Sequence, residues 1–217
     1  MYFSDRIDAA RQLVGALRPY AARRPLVLAI PRGAVPMGDA IARALGGDLD
    51  VVLVRKLRAP FSPEFAVGAI DESGWAYVSG DAAAAGADAA YLEREKRVQL
   101  EVLKRRREQY TPWRARFDPA GRIVIVVDDG LATGATMIAA LHSARLHRPE
   151  RLVCAVPVAA QTSLERVAPL ADEVVCLYAP DDFDSVGRFY REFPQVSDEE
   201  VQAVLRACAS PVSPTHP

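Results

Sequence analysis

The chain has 217 residues, half of them hydrophobic and a quarter charged, with 27 basic side chains against 28 acidic ones. That length is enough to bury a full core within one domain. The even charge excludes both a chain kept disordered by self-repulsion and a binder of polyanions through bulk charge, so any anion site must be local.

Residues 1–6 lack the charged-then-apolar layout of a secretion signal, and no apolar run approaches the roughly 20 residues that cross a bilayer. Residues 7–17 carry apolar side chains at helical spacing, and after Pro25 the short run 26–30 reads as a strand. Residues 31–38, with Pro31, Gly33, Pro36 and Gly38, form a turn, 39–45 a helix and 51–54 a second strand. Residues 59–64 hold two prolines and no clear period and read as a connector. The runs 65–70 and 75–78, separated by Asp71-Glu72-Ser73-Gly74, predict a hairpin. After an alanine-rich stretch comes a long polar helix at 89–110. Its basic run 104–107 is interleaved with Glu93, Glu95, Glu101 and Glu108, which favours a solvated face over an anion patch.

A further strand follows at 123–127, then a loop at 128–134, a helix at 135–146, a strand at 152–158, a helix at 162–170 and a last strand at 173–178. His142 and His147 sit on or just after the helix at 135–146 without the spacing of metal ligands, as surface residues. Cys154, Cys176 and Cys208, odd in number and unevenly spaced, are expected to be reduced thiols of a cytoplasmic protein. Residues 211–217 read as a loose tail.

The order strand, loop, helix, strand thus occurs twice. Continuous β-branched runs joined by helices predict an α/β fold with a doubly wound parallel sheet, and ligands of such sheets lie at the carboxyl ends of the strands. We expect one domain over 1–217, its core at about 20–60 and 118–180, with a small hood and helical insert at about 61–117 and 181–210.

The strongest motif is Val126-Val127-Asp128-Asp129-Gly130-Leu131-Ala132-Thr133-Gly134-Ala135-Thr136-Met137. An apolar strand delivers two adjacent carboxylates to its open end, where they can accept hydrogen bonds from vicinal hydroxyls or hold hydrated Mg²⁺. A loop of small residues then opens a helix, so backbone N–H groups and the helix dipole converge on one phosphate, with Thr133 and Thr136 adding hydroxyls. The plainer alternative is a helix cap at Asp128-Asp129 and a tight turn at Gly134. The order of all the parts directly after a β-branched strand favours phosphate binding.

This segment resembles the signature of type I phosphoribosyltransferases, which bind 5-phosphoribosyl 1-pyrophosphate (PRPP) with magnesium. The resemblance covers about residues 20–60 and 118–190. It implies the type I phosphoribosyltransferase fold, and it implies that Asp128 and Asp129 hold the ribose hydroxyls and the metal while Ala132, Thr133, Gly134, Ala135 and Thr136 wrap the 5-phosphate. Family members acting on 6-oxopurines usually carry aspartate at position 132, so Ala132 disfavours a hypoxanthine or guanine transferase and is nearer the form common in adenine enzymes.

The resemblance also assigns the loop after the first strand, with Arg32 and Gly33, to the leaving diphosphate. A guanidinium offers phosphate oxygens a fixed fork of donors. Arg55 and Lys56, ahead of Arg58, would add charge there, although a strand-end cluster is otherwise simply solvated. Residues 59–64 would be the loop that closes over PRPP, with Glu64 acting on the base or merely facing solvent. Phe183, in Pro180-Asp181-Asp182-Phe183, is a stacking platform for the acceptor or an anchor, with Phe189 and Tyr190, of a C-terminal helix.

The implied reaction displaces diphosphate from C1 of Mg²⁺-bound PRPP by a nitrogen nucleophile on a small-molecule acceptor. A regulator that senses PRPP or a nucleotide without transferring it, and a hydrolase with water as acceptor, would use the same site. No helix-turn-helix or basic extension points to nucleic acid, nothing points to a membrane, and a homodimer stays open.

Overall fold

The structure, a computed structural model, describes residues 2–113 and 115–208, except for the side chains of residues 63 and 64. The chain begins with helix α1 (Arg6–Leu17), capped by the Asp5 carboxylate accepting the Asp8 N–H. Strand β1 (Leu26–Ala29), helix α2 (Val35–Leu45) and strand β2 (Asp48–Val51) follow. Next come β3 (Val54–Ala59), β4 (Ser62–Asp71), β5 (Ala76–Val78) and helix α3 (Ala89–Tyr110). The second half comprises β6 (Ile123–Val127), α4 (Ala135–Leu146), β7 (Arg151–Val158), α5 (Gln161–Val167), β8 (Glu173–Tyr178) and α6 (Asp198–Cys208).

Five strands form one parallel sheet in the order β2-β1-β6-β7-β8. The continuous apolar runs are explained by burial on both faces. Alternate residues Val27, Ala29, Ile125, Val127, Val153 and Ala155 pack under α1 and α2, whereas Leu26, Leu28, Val124, Val126, Leu152 and Cys154 pack under α4. The predicted doubly wound parallel sheet is therefore the fold observed. Among the described residues no helix is long and apolar enough to cross a membrane.

The remaining strands form a separate antiparallel sheet, β3-β4-β5, which packs on α4, while α3 lies along β3. This corrects three boundaries. The buried run 51–54 is not one strand: Val51 ends β2 and Val54 begins β3 in the other sheet, and burial alone carries no mark of the change. Helix α2 starts at Val35 rather than 39, because Pro36 in the first turn forfeits no helical hydrogen bond. Residues 59–64 are not a free connector: Ala59 pairs with Ser62, so Pro60 and Phe61 form a hairpin tip, and Phe61 is 90% exposed.

Two surface readings are corrected as well. The His142 ring stacks on Trp75 at 3.7 Å and its Nδ1 lies 3.4 Å from the fully buried Asp71 carboxylate, which fastens the β4–β5 turn to α4. On α3 the pairs Lys96–Glu93 and Lys104–Glu101 are solvated as expected, but Arg107 donates to Glu72 at 2.5 and 2.9 Å and to the Val51 carbonyl. All three cysteines are free thiols. The tail at 211–217 lies outside the described residues.

Candidate functional site

Strands β1 and β6 are neighbours in the sheet, yet the helices that follow them cover opposite faces. Their carboxyl-end loops part at this switch point and leave a crevice, the place where doubly wound sheets bind ligands. A cavity of about 320 Å³ opens there. Ile30, Pro31 and Gly33 line it from the first loop, residues 128–134 and Thr136 from the second, and Lys56, Val186 and Phe193 from outside the parallel sheet.

At the floor stand the two carboxylates. The Asp128 carboxylate accepts the Asp129 N–H at 2.9 Å, and Asp129 Oδ2 accepts from both Nε and Nη2 of Arg6, each at 3.0 Å. Arg6 is itself held by the Pro194 carbonyl, 2.6 Å from Nη1, and by the Phe193 ring, whose centroid is 3.7 Å from the guanidinium carbon. The Tyr190 hydroxyl donates to the Asp129 carbonyl at 2.7 Å. Burial raises the Asp128 carboxyl well above its ordinary range, and the negative Asp129 raises it further. Burial also raises Asp129, against the opposing pull of Arg6. Asp128 and Asp129 both line the cavity. Gly33 makes the arrangement feasible: a Cβ there would lie 2.1 Å from Asp129 Oδ2.

The loop that follows is pinned at both ends. Leu131 donates to the Val158 carbonyl and accepts from Ala160 N–H, and the Ala132 carbonyl accepts the Ser163 hydroxyl at 2.6 Å. Gly134 at φ +76° turns the chain into α4 through a conformation that side chains disfavour. The first turn of α4 has backbone N–H groups without intrahelical acceptors, and Thr133, Gly134 and Thr136 at this end of the helix line the cavity. Ala135 is buried beneath the loop and does not line the cavity.

A second cavity of about 360 Å³ shares Ile30, Pro31, Lys56 and Thr136 with the first, and adds Arg32, Arg55, Arg58 and Arg106. Arg32 follows a cis Pro31–Arg32 peptide, and its only acidic contact among the described residues is Asp198 at 3.5 Å. Burial, and then the charges of Arg106 and Arg58, draw the Arg55 guanidinium below its ordinary range.

The structure therefore gathers Gly33, Lys56, Asp128, Asp129, Ala132, Thr133, Gly134 and Thr136 around one cavity, with Arg32 and Arg55 in its extension. It does not bring Phe183 there. That ring stacks on Phe189 at 5.6 Å, and the aromatic lining the cavity is Phe193. In the segment 180–190 it is Val186 that lines the cavity, while Phe183 packs on Phe189 of the short 3₁₀ turn Val186–Phe189. The Glu64 side chain lies outside the described residues. Sequence reasoning missed Arg6, whose partner is 123 residues away, and Phe193, which follows no strand or motif. Among the described residues no cluster of three or more His, Cys, Asp or Glu side chains could hold a metal by itself.

Comparison with known proteins bears on this geometry. The family model described as phosphoribosyl transferase domain matches residues 4–192. Proteins of two Mycobacterium tuberculosis strains, H37Rv and CDC 1551, whose names assign them provisionally as phosphoribosyl transferases, are each 45% identical over 204 residues. The match covers 94% of this chain and 46% of theirs, so the chain spans about half the length of the curated relatives it matches. The crystal structure of TT1426 from Thermus thermophilus superposes with a TM-score of 0.81 at 47% identity, covering 97% of this chain and all of that one. With a family match over most of its length and a crevice built from the two motif loops, the chain belongs to the phosphoribosyl transferase domain family.

Proposed function

We propose that the crevice binds PRPP with Mg²⁺ and transfers the 5-phosphoribosyl group to a nitrogenous acceptor with release of diphosphate. The observation that carries this reading is the continuity of two chemically different cavities: a carboxylate floor and phosphate loop at one end, five cations at the other. A sugar bearing a monophosphate on one carbon and a diphosphate on another matches that polarity.

In this reading the residues divide the work by charge. Amides and hydroxyls at 132–136 hold the 5-phosphate, Asp128 and Asp129 accept from the ribose hydroxyls, and Arg32, Arg55 and Lys56 take the diphosphate. Departure of the diphosphate leaves positive charge on the ribose ring and negative charge on the leaving oxygens, so carboxylates below the ring and guanidiniums beside the leaving group stabilise both. The donor set suits a magnesium ion that keeps substrate and water oxygens, held through Asp128 and Asp129, which would neutralise the leaving group. Gly33 supports the reading by letting the diphosphate loop press against the carboxylates.

The acceptor side is more open. Ala132 offers no carboxylate to a 6-oxopurine, and Phe193 replaces Phe183 as the aromatic wall. The test is diphosphate release from Mg²⁺–PRPP across a panel of nucleobases and other amines. Acceptor-dependent release supports transfer. Release without acceptor supports hydrolysis, and tight PRPP binding without release supports a sensor.

A further inference from the structure

The basic run at 104–107 divides around α3. Lys104 pairs with Glu101, Arg105 is exposed and Arg107 is tied to Glu72, whereas Arg106 enters the cation-lined cavity. Positions 99, 103, 106 and 110 follow the spacing that keeps side chains on one helix face. Three of the four are buried and fastened. The Gln99 carbonyl accepts from Arg55 Nε at 2.5 Å, Leu103 lies in the core, and the Tyr110 hydroxyl bonds the Asp198 carboxylate. The fourth, Arg106, is half-buried and has no carboxylate partner among the described residues. It faces Arg32, Arg55, Lys56 and Arg58 instead.

Packing alone would put a leucine on this stripe. A guanidinium beside four other cations raises the energy of the free protein, and a multiply charged anion in the cavity reverses that sign. Burial, and then the charges of Arg106 and Arg58, weaken the hold of the neighbouring Arg55 on its proton. Gln99 holds Arg55 and Leu103 holds the helix, so Arg106 is presented on a rigid element and not on a mobile loop.

We propose that Arg106, carried on the α3 insert, is a diphosphate-binding residue that completes the cation face from outside the parallel sheet and favours a pyrophosphorylated sugar over a monophosphorylated one. This rests on the PRPP reading of the crevice. The insert then has a definite role, since it brings one cation to the leaving-group side within the same chain.

The test compares wild type with Arg106→Gln, Arg106→Lys and Arg106→Leu by calorimetry, using inorganic diphosphate with Mg²⁺, PRPP with Mg²⁺ and ribose 5-phosphate as probes. Arg106→Gln should weaken diphosphate and PRPP about 10- to 100-fold, with ribose 5-phosphate unchanged. Arg106→Lys should recover part of the loss. Arg106→Leu should melt at or above the wild-type temperature while losing diphosphate, which separates binding from folding. Unchanged diphosphate affinity, or equal loss of all three probes, overturns the proposal. If wild type binds diphosphate but not PRPP and Arg106→Gln still loses diphosphate, the PRPP reading fails and the role of Arg106 stands. A wild type that binds neither overturns both.

Discussion

Arg6 offers the sharpest test of how the carboxylate floor is held. Its guanidinium and the Asp129 carboxylate are only 11% and 18% exposed, so water does little to screen the pair. Replacing Arg6 with methionine keeps much of the stem but strands a carboxylate in the crevice. Breaking a buried pair from one side costs about 3–5 kcal/mol, and the residual exposure here puts the expected loss near the lower figure, about 3 kcal/mol. For a chain of this size that is a fall in Tm of about 6–12 °C. Asp129→Asn in the same background removes the stranded charge, and the cost of Arg6→Met should then drop to about 1 kcal/mol, mostly the lost contacts to Phe193 and Pro194. The coupling between the two sites is thus about 2 kcal/mol, measured by chemical denaturation of the four proteins of the cycle. If Arg6→Met costs the same with and without the Asp129 charge, the ion pair does not hold the floor and the reasoning is wrong.

Gly33→Ala should push the Asp129 carboxylate aside, because the new Cβ would stand 2.1 Å from Oδ2 and 3.1 Å from Cγ. The expected cost is about 1–3 kcal/mol with weakened ribose 5-phosphate binding, and a fully stable variant with normal binding would count against the close approach. Asp128→Asn should stabilise the free protein, because it removes a charge that burial, and then the neighbouring Asp129, disfavour. Calorimetric melting that shows no gain would contradict that account. Phe193→Ala should alter acceptor kinetics more than Phe183→Ala, which should read out mainly as lost packing against Phe189. Hypoxanthine and guanine should be poor acceptors beside adenine, since Ala132 supplies no carboxylate, and brisk turnover of hypoxanthine would show the acceptor side misread.

Much of the fold was legible because its signals are local. The run at 123–127 is buried on both faces, so every residue is apolar, and the small residues after it mark a loop that opens a helix; β6 and α4 begin and end where the sequence predicts. The division of residues 51–54 between two sheets was not legible, since a buried residue looks the same in either. The candidate site divides along the same line. The two carboxylates and the small-residue loop after them are consecutive residues and can be read as a motif. Arg6, Phe193 and Arg106 arrive from three distant segments, and their placement depends on how α1, the C-terminal segment and α3 pack. The basic run on α3 was misjudged for a related reason: interleaved glutamates neutralise the helix on average, but its faces differ by residue, and only packing decides that 106 turns inward.

The most direct measurement of the central claim is the affinity of Mg²⁺–PRPP for wild type and for the Asp128→Asn, Asp129→Asn double variant, by calorimetry on samples whose folding is checked by circular dichroism. Each carboxylate lost from a charge-assisted hydrogen bond costs about 1.5–3 kcal/mol, so the double variant should bind at least about 100-fold more weakly while remaining folded. A folded double variant with wild-type affinity for PRPP would contradict the account.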